Sequence, residues 1–272
     1  PVKSVSALWA VAPPDIAAQV ELAHHDAVTD ALGFIEAHAL YTREGANGVR
    51  QVDVTGLVAT AFTHRDSRAG DPDLHTHVAV ANKVQTLNGK WLSIDGRILF
   101  KANVTASETY NTSLEKHLRT RLGLLFAERP GTDRGKRPVR EVVGVDPRLN
   151  EPWSTRRVAI ESRRGVLAAA FQADHGRPPT VVESIQLAQQ ATLETREAKH
   201  EPRTLAEQRQ AWAEQAEEVL GGPHGVITMV TAALTAGRAA KASATGSVMV
   251  DAVWVRTTAV RVRDEVQARR AT

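Results

Sequence analysis

The sequence predicts a mixed α+β fold with an antiparallel sheet, on three observations. Alternating, β-branched runs bounded by turn residues crowd between residues 49 and 94. Segments of helical spacing lie on both sides of them, and after residue 152 only helices follow. That order, strands and helices first and helices afterwards, belongs to α+β architecture rather than to alternating β-α units.

The elements follow in order. Pro13-Pro14-Asp15 opens a helix, and Ile16, Val20, Ala23, Ala27, Ala31, Phe34 and Ile35 carry its apolar stripe to about Leu40. Glu44-Gly-Ala-Asn-Gly48 is a turn, and Val49–Val54 and Leu57–Thr63 are expected to pair as a hairpin. Arg65–Asp73 is a polar loop, His75–Val84 a strand, and Asn88-Gly89 a tight turn leading to a strand at Trp91–Ile94. Thr105-Ala-Ser-Glu108 reads as a capping box for a helix that stops at Gly123. A basic connection with hairpin character follows, then a helix from Pro152 to His175. Thr180-Val-Val-Glu183 and Thr204-Leu-Ala-Glu207 are two further capping boxes, for helices reaching about Lys199 and Leu220. Gly221-Gly-Pro223 breaks the chain before a helix near Val226–Leu234.

Composition narrows the function classes. At 42% hydrophobic and 24% charged residues the chain is that of an ordinary globular protein. With no Cys there is no disulfide framework, thiolate metal site, iron–sulfur cluster or Cys nucleophile. No apolar stretch is long enough for a membrane-spanning helix. The chain opens on Pro1 without a signal pattern and reads as part of a longer protein. The formal charge is only +3, but residues 115–140 hold eight cations against three anions, and Arg156, Arg157, Arg163 and Arg164 form a second cluster. Such patches suit a polyanion, and equally suit a solvated helix face.

The chemistry-bearing pattern is His64…His75-Thr-His77. Residues two apart on a strand project from one face, so His75 and His77 point the same way, and His64 ends the preceding strand. If the two strands pair, three imidazoles converge and leave coordination positions open, as a catalytic metal site requires. Asp66, Asp71 and Asp73, in the intervening loop, are candidates to orient an imidazole from behind, Asp71 first among them. Arg65 and Arg68 are candidates for phosphate contact. His24, His25, His38, His117, His175, His200 and His224 read as structural, Tyr110 as a core residue, and Tyr41 as the end of the first helix. The glycines lack nucleotide-binding spacing.

The run Phe62-Thr-His64-Arg-Asp-Ser-Arg68-Ala-Gly-Asp71-Pro-Asp-Leu74-His75-Thr-His77-Val-Ala-Val-Ala-Asn82 resembles the three-histidine motif of conjugative relaxases of the TrwC/TraI-like (MobF) type, HUH-class single-strand DNA nicking enzymes. Pro1-Val-Lys3-Ser-Val-Ser6, Gly89-Lys-Trp91, Lys101, Tyr110-Asn111, Thr195-Arg196 and Lys199 are similar to flanking parts of that family. The resemblance implies a five-stranded antiparallel palm with flanking helices and a helical fingers extension. It implies a divalent ion on His64, His75 and His77, Mg²⁺ or Mn²⁺ by family habit, whereas three imidazoles favour Zn²⁺ or Ni²⁺. It further implies single-stranded DNA at an origin of transfer as substrate, nicked by tyrosine transesterification in the cytoplasm, with other conjugation proteins as partners.

Lys3, Arg65, Arg68, Lys101, Arg196 and Lys199 become candidate DNA contacts. Residues 1–235 are expected to form the relaxase unit and 236–272 a linker toward a helicase-like domain. The family's nucleophilic tyrosines lie upstream of the Lys-Ser-Val-Ser segment, and Tyr41 and Tyr110 do not match them, so no catalytic nucleophile is assigned within these residues. Two other readings are a self-contained three-histidine metal hydrolase and a non-catalytic DNA-binding remnant.

Overall fold

A nine-residue helix near the start of the chain, α1 (Lys3–Val11), is buried from Ser4 through Ala10. A helix hidden on every side must be surrounded, and α1 packs against elements of widely separated sequence, among them α2 (Pro14–His38), β4 (Pro72–Val80), β8 (Arg140–Val142) and α7 (Leu205–Leu220). In the computed structural model, which describes residues 1–131, 137–198 and 201–243, this helix is the centre of the core. Its buried Ser4 is satisfied: the hydroxyl donates to Glu141 and accepts from the Val142 N–H at 2.9 Å. Trp9 stacks at a tilt on Trp212 of α7, ring centroids 5.4 Å apart, and donates its indole N–H to Glu21.

The remaining elements are β1 (Tyr41–Glu44), β2 (Arg50–Asp53), β3 (Ala59–Asp66), β5 (Val84–Gln85), β6 (Trp91–Leu92), α3 (Gly96–Lys101), α4 (Asn103–Leu122), β7 (Phe126–Glu128), α5 (Thr155–His175), α6 (Val181–Glu194) and α8 (Pro223–Ser243). The long helices α2 and α4 pack on each other, and α5 and α6 form a helical pair tied by Arg163 to Glu194 at 2.5 Å. Both predicted capping boxes at Thr180 and Thr204 are complete, each hydroxyl accepting from the N3 amide and each Glu accepting from the cap amide. Gly123, Gly176 and Gly221 end their helices in the left-handed conformation, as their positions in the sequence require.

The mixed α+β class holds, with differences in the strands. The described strands form four two-stranded antiparallel ladders, β1–β2, β3–β4, β5–β6 and β7–β8, and not the five-stranded palm. Among the described residues, the strand pairing between the first ladder and the third is limited to the isolated bridges Thr42↔Ile94 and Val54↔Thr86. Strands β5 and β6 are two residues each, too short to carry a continuous sheet. The expected pairing of 49–54 with 57–63 is replaced by β2 with β1 and β3 with β4. Residues 41–44 therefore begin a strand, and Tyr41 does not end the first helix. The Gly-Ala-Asn-Gly turn decides this, since Gly45, Asn47 and Gly48 all take positive φ and fold β2 back onto β1.

The Thr105 capping box does not form. Helix α3, capped by Asp95, runs directly into α4, and the Ala106 amide is already taken by the Ala102 carbonyl. The helix after Thr180 ends at Glu194 rather than near Lys199, and α8 is longer than its apolar stretch indicated. Much of the basic stretch 115–140 is taken up internally: Arg121 pairs with Asp26, Arg129 with Glu141, Arg137 with Glu108, and Arg140 with Glu115. Arg134, Lys136, Lys199, His200 and residues 244–272, which include most of the expected linker, lie outside the described residues.

Trp212 is 1% exposed, stacks on Trp9 and donates its indole N–H to the Gly70 carbonyl at 2.8 Å. Trp212→Ala is expected to lower the unfolding free energy by about 3–5 kcal/mol in urea titrations followed by fluorescence.

Candidate metal centre

Strands β3 and β4 pair with Phe62 opposite His77, Thr63 opposite Thr76 and His64 opposite His75. Because side chains alternate, Phe62, His64, His75 and His77 share one face of the ladder, while Thr63 and Thr76 share the other. A register irregularity between His64 and Asp66 ends the regular pairing immediately after the histidine and leaves Arg65 at the bulge.

The three imidazoles converge as the sequence predicts. Ring centroids are 5.2 Å apart for His64 and His75, 4.8 Å for His64 and His77, and 4.9 Å for His75 and His77. One nitrogen from each lies within 4.8 Å of the others, and the Nε2 atoms of His75 and His77 are 3.2 Å apart. Two nitrogens each about 2.1 Å from one ion stand about 3.0–3.4 Å apart at angles between octahedral and tetrahedral. The donor set therefore fits a divalent ion. His75 Nδ1 lies 2.6 Å from the Asp73 carbonyl, so that nitrogen carries the proton and Nε2 is left as a lone-pair donor. His64 and His77 are exposed, which keeps the centre open on its outer side.

Four anchors hold the loop between the strands, which turns at Gly70 with φ +84°. Trp212 donates to the Gly70 carbonyl, Gln208 Nε2 donates to Asp66 at 2.8 Å, and Arg68 donates to the Glu197 carbonyl at 3.2 Å. The fourth is Asp71, whose carboxylate accepts from the Thr155 amide at 3.1 Å and the Thr155 hydroxyl at 3.0 Å. Asp71 thus caps the first turn of α5 and does not orient an imidazole. The residue behind His75 is Asp73, through its carbonyl and through a carboxylate 3.6 Å from Nδ1. Both acids were in view in the motif, but only the fold decides which one turns toward α5.

A support behind the centre was not legible in the sequence. His24 of α2 is 2% exposed and bonds both ways at 2.8 Å, from Nδ1 to the Tyr110 hydroxyl and from Nε2 to Thr76 Oγ1. Thr76 lies between two of the triad histidines and contacts Thr63 Oγ1 at 3.3 Å, and Thr63 in turn contacts His25 at 3.2 Å. Burial pushes the His24 pKa down to about 4. Burial also raises the Tyr110 phenol. A neutral imidazole satisfies the pair, one ring nitrogen donating and the other accepting. The spacing of His24 on a helix showed only that it belonged to the structure, and so it does. His117, on Asp30 at 2.9 Å, and His175, stacked on Phe171 at 3.9 Å, are likewise structural.

The candidate DNA contacts divide. Lys3 is half-buried and donates to the Trp153 carbonyl at 2.6 Å, so its ammonium secures the turn before α5 rather than facing a phosphate. Arg65, Lys101 and Arg196 are exposed. Arg68 reaches the α5–α6 pair, where a small recess is lined by Arg68, Thr155, Arg156, Thr195 and Glu197. Lys101 lies apart, at the end of α3.

Comparison with known proteins agrees with this α+β domain bearing a three-histidine centre. The TrwC relaxase family model matches residues 1–219, and the chain belongs to that family. It is 35% identical over 184 residues to a multifunctional conjugation protein TraI of Escherichia coli, covering 65% of this chain and 9% of that protein. Against TraI of Escherichia coli strain K12 it is 43% identical over 91 residues, 32% of this chain and 5% of that one. The chain thus spans less than a tenth of the length of these relatives. Among solved structures, the copper-bound complex of conjugative relaxase TrwC with oriT DNA superposes with a TM-score of 0.64 at 28% identity, over 80% of this chain and 68% of that one. TrwC with a 27-mer DNA comprising the recognition hairpin and cleavage site gives 0.62 at 29% identity, over 80% and 70%.

Two variants test these assignments. Asp71→Ala is expected to cost about 1 kcal/mol of stability as a lost helix cap, with Ni²⁺ affinity of the folded protein within twofold of wild type by calorimetry; an orienting role would lower that affinity. His24 is held neutral with a pKa near 4 against 6.5 for a free imidazole. The unfolded chain therefore binds the extra proton in that window, and acid destabilises the fold progressively from pH 6.5 to about 4. In His24→Gln the dependence of Tm on pH across that window is expected to be shallower.

Proposed function

We propose that this chain supplies the metal centre and the single-stranded-DNA-binding surface of a conjugative relaxase acting at an origin of transfer. The observation that carries the reading is the convergence of His64, His75 and His77 on the open face of one hairpin, in a chain of the TrwC relaxase family. The comparison structures support it, since one TrwC complex with oriT DNA is described as copper-bound and another as metal-bound.

When bound, a divalent ion at this position supplies Lewis acidity toward a phosphodiester oxygen. His75 is aimed by the Asp73 carbonyl, so its Nε2 needs no reorientation to act as a ligand. His64 is set by the cross-strand register, and His77 by its place two residues after His75. Three imidazoles make Ni²⁺, Cu²⁺ or Zn²⁺ stronger occupants than Mg²⁺ or Mn²⁺, so a magnesium- or manganese-dependent reaction rests on metal supply rather than on ligand preference. Arg65, Arg68 and Arg196 are the cations we assign to phosphates, with Lys101 as an outlying contact.

Neither tyrosine serves as the nucleophile in this reading. Tyr110 is held behind the hairpin by His24, with its phenol kept protonated by burial. Tyr41 opens β1 and does not match the family's nucleophile motif. The attacking tyrosine then comes from residues other than these 272. We retain residues 1–235 as the relaxase unit and 236–272 as its connection onward. No single described helix is long and apolar enough to cross a membrane; we assign the work to the cytoplasm, in concert with other conjugation proteins.

Calorimetry with Ni²⁺ is expected to show one site per chain in wild type and none in the triple variant His64→Ala, His75→Ala, His77→Ala. Retained affinity in the triple variant contradicts the site. Binding of a labelled single strand is expected to weaken as salt rises, with a log–log slope of about −0.7 per phosphate contacted. Arg68→Ala and Arg196→Ala are each expected to make that slope shallower.

A further inference from the structure

Phe62 stands out on the face that carries the triad. It is a large aromatic residue 52% exposed, in a strand whose side chains are exposed from Ala59 to Arg65. It lies two residues before His64 with regular pairing between them, and directly across the ladder from His77. The opposite face is settled independently, because Thr63 reaches Thr76 and His25 there. Beyond Phe62, the next pair on the triad face is Thr60 with Ala79, both small and both exposed. The ring is therefore bordered by an imidazole on one side and by short side chains on the other, with open space for a planar group.

Burying this ring against the core would remove apolar surface from water; the fold instead leaves it beside the metal site, on the side where substrate must approach. Cross-strand neighbours stand about 5 Å apart at Cβ, so a single nucleotide step carries a strand from the triad to the ring. An aromatic face next to a phosphate-holding centre has one general use with single-stranded nucleic acid, which is to stack a base, and that contact tolerates any sequence because every base has a π-face.

We propose that Phe62 is the stacking platform for the nucleobase adjoining the phosphate held at the triad. This rests on the DNA-binding reading given above and adds to it a residue that grips the base rather than the backbone.

The test uses the whole chain loaded with Ni²⁺ and a fluorescein-labelled oligo(dT) of about 12 nucleotides, followed by anisotropy. Phe62→Leu keeps an apolar side chain but has no π-face, and Phe62→Trp enlarges the π-face. Phe62→Leu and Phe62→Ala are expected to weaken binding about tenfold, with Phe62→Trp binding at least as tightly as wild type. Ni²⁺ affinity is expected to stay within twofold throughout, which separates loss of stacking from damage to the metal centre. Binding by Phe62→Leu within twofold of wild type, or by Phe62→Trp no tighter than by Phe62→Leu, overturns the platform and leaves the DNA-binding reading standing. A wild-type chain with no affinity for the oligonucleotide overturns both.

Discussion

The register of one two-stranded ladder governs this structure. His64 faces His75 only because β3 and β4 pair at that offset, and a slip of one residue would turn His64 to the opposite side of the hairpin. An isolated two-stranded ribbon is marginally stable and free to slip, so the pairing has to be enforced from outside. Two sets of contacts do so. The loop at the closed end is pinned by Trp212, Gln208, Arg68 and Asp71 to helices remote in sequence. The concealed face is pinned by His24 through Thr76. Leu74, fully buried between these supports, presses β4 into the core.

These supports explain why the core is built around α1. Its buried, mostly apolar surface draws α2, α7, β4 and β8 together, and those elements include two of the sources of the clamps, α2 for His24 and α7 for Trp212 and Gln208. The site can then afford an exposed, water-facing triad, because its geometry is set by side chains that point away from it. The same division assigns the two neighbouring acids: Asp71 joins the loop to α5, while Asp73 stays by the imidazole.

Much of this was legible in local sequence because local rules apply there. The triad followed from alternation on a strand plus a third histidine across a turn, and the two Thr-x-x-Glu boxes and three terminal glycines marked helix ends by stereochemistry alone. Strand partnership at 49–63 is not legible locally, because two β-branched runs separated by Thr55-Gly56 look like a hairpin; the turn at residues 45–48 recruits β1 instead, and only the fold shows that Tyr41 begins a strand. The Thr105 box does not form because α4 begins at Asn103 and Thr105 already lies inside it. Charge density misled as well. The cations of 115–140 that lie in the described residues mostly meet Asp26, Glu108, Glu115 and Glu141, and the farthest of these, Asp26 on α2, stands 95 residues from Arg121, beyond any local window. His24 could be placed inside by its helix position, but its grip on Thr76 spans 52 residues and needs the packed helix to be seen.

The enforced register of β3 and β4 brings three imidazoles within reach of one ion. Electron paramagnetic resonance of the Cu²⁺-loaded chain counts the nitrogens bound to the metal. The account predicts three imidazole nitrogens in wild type and two in His64→Ala, the residue contributed by the opposite strand. A spectrum unchanged by His64→Ala would contradict it.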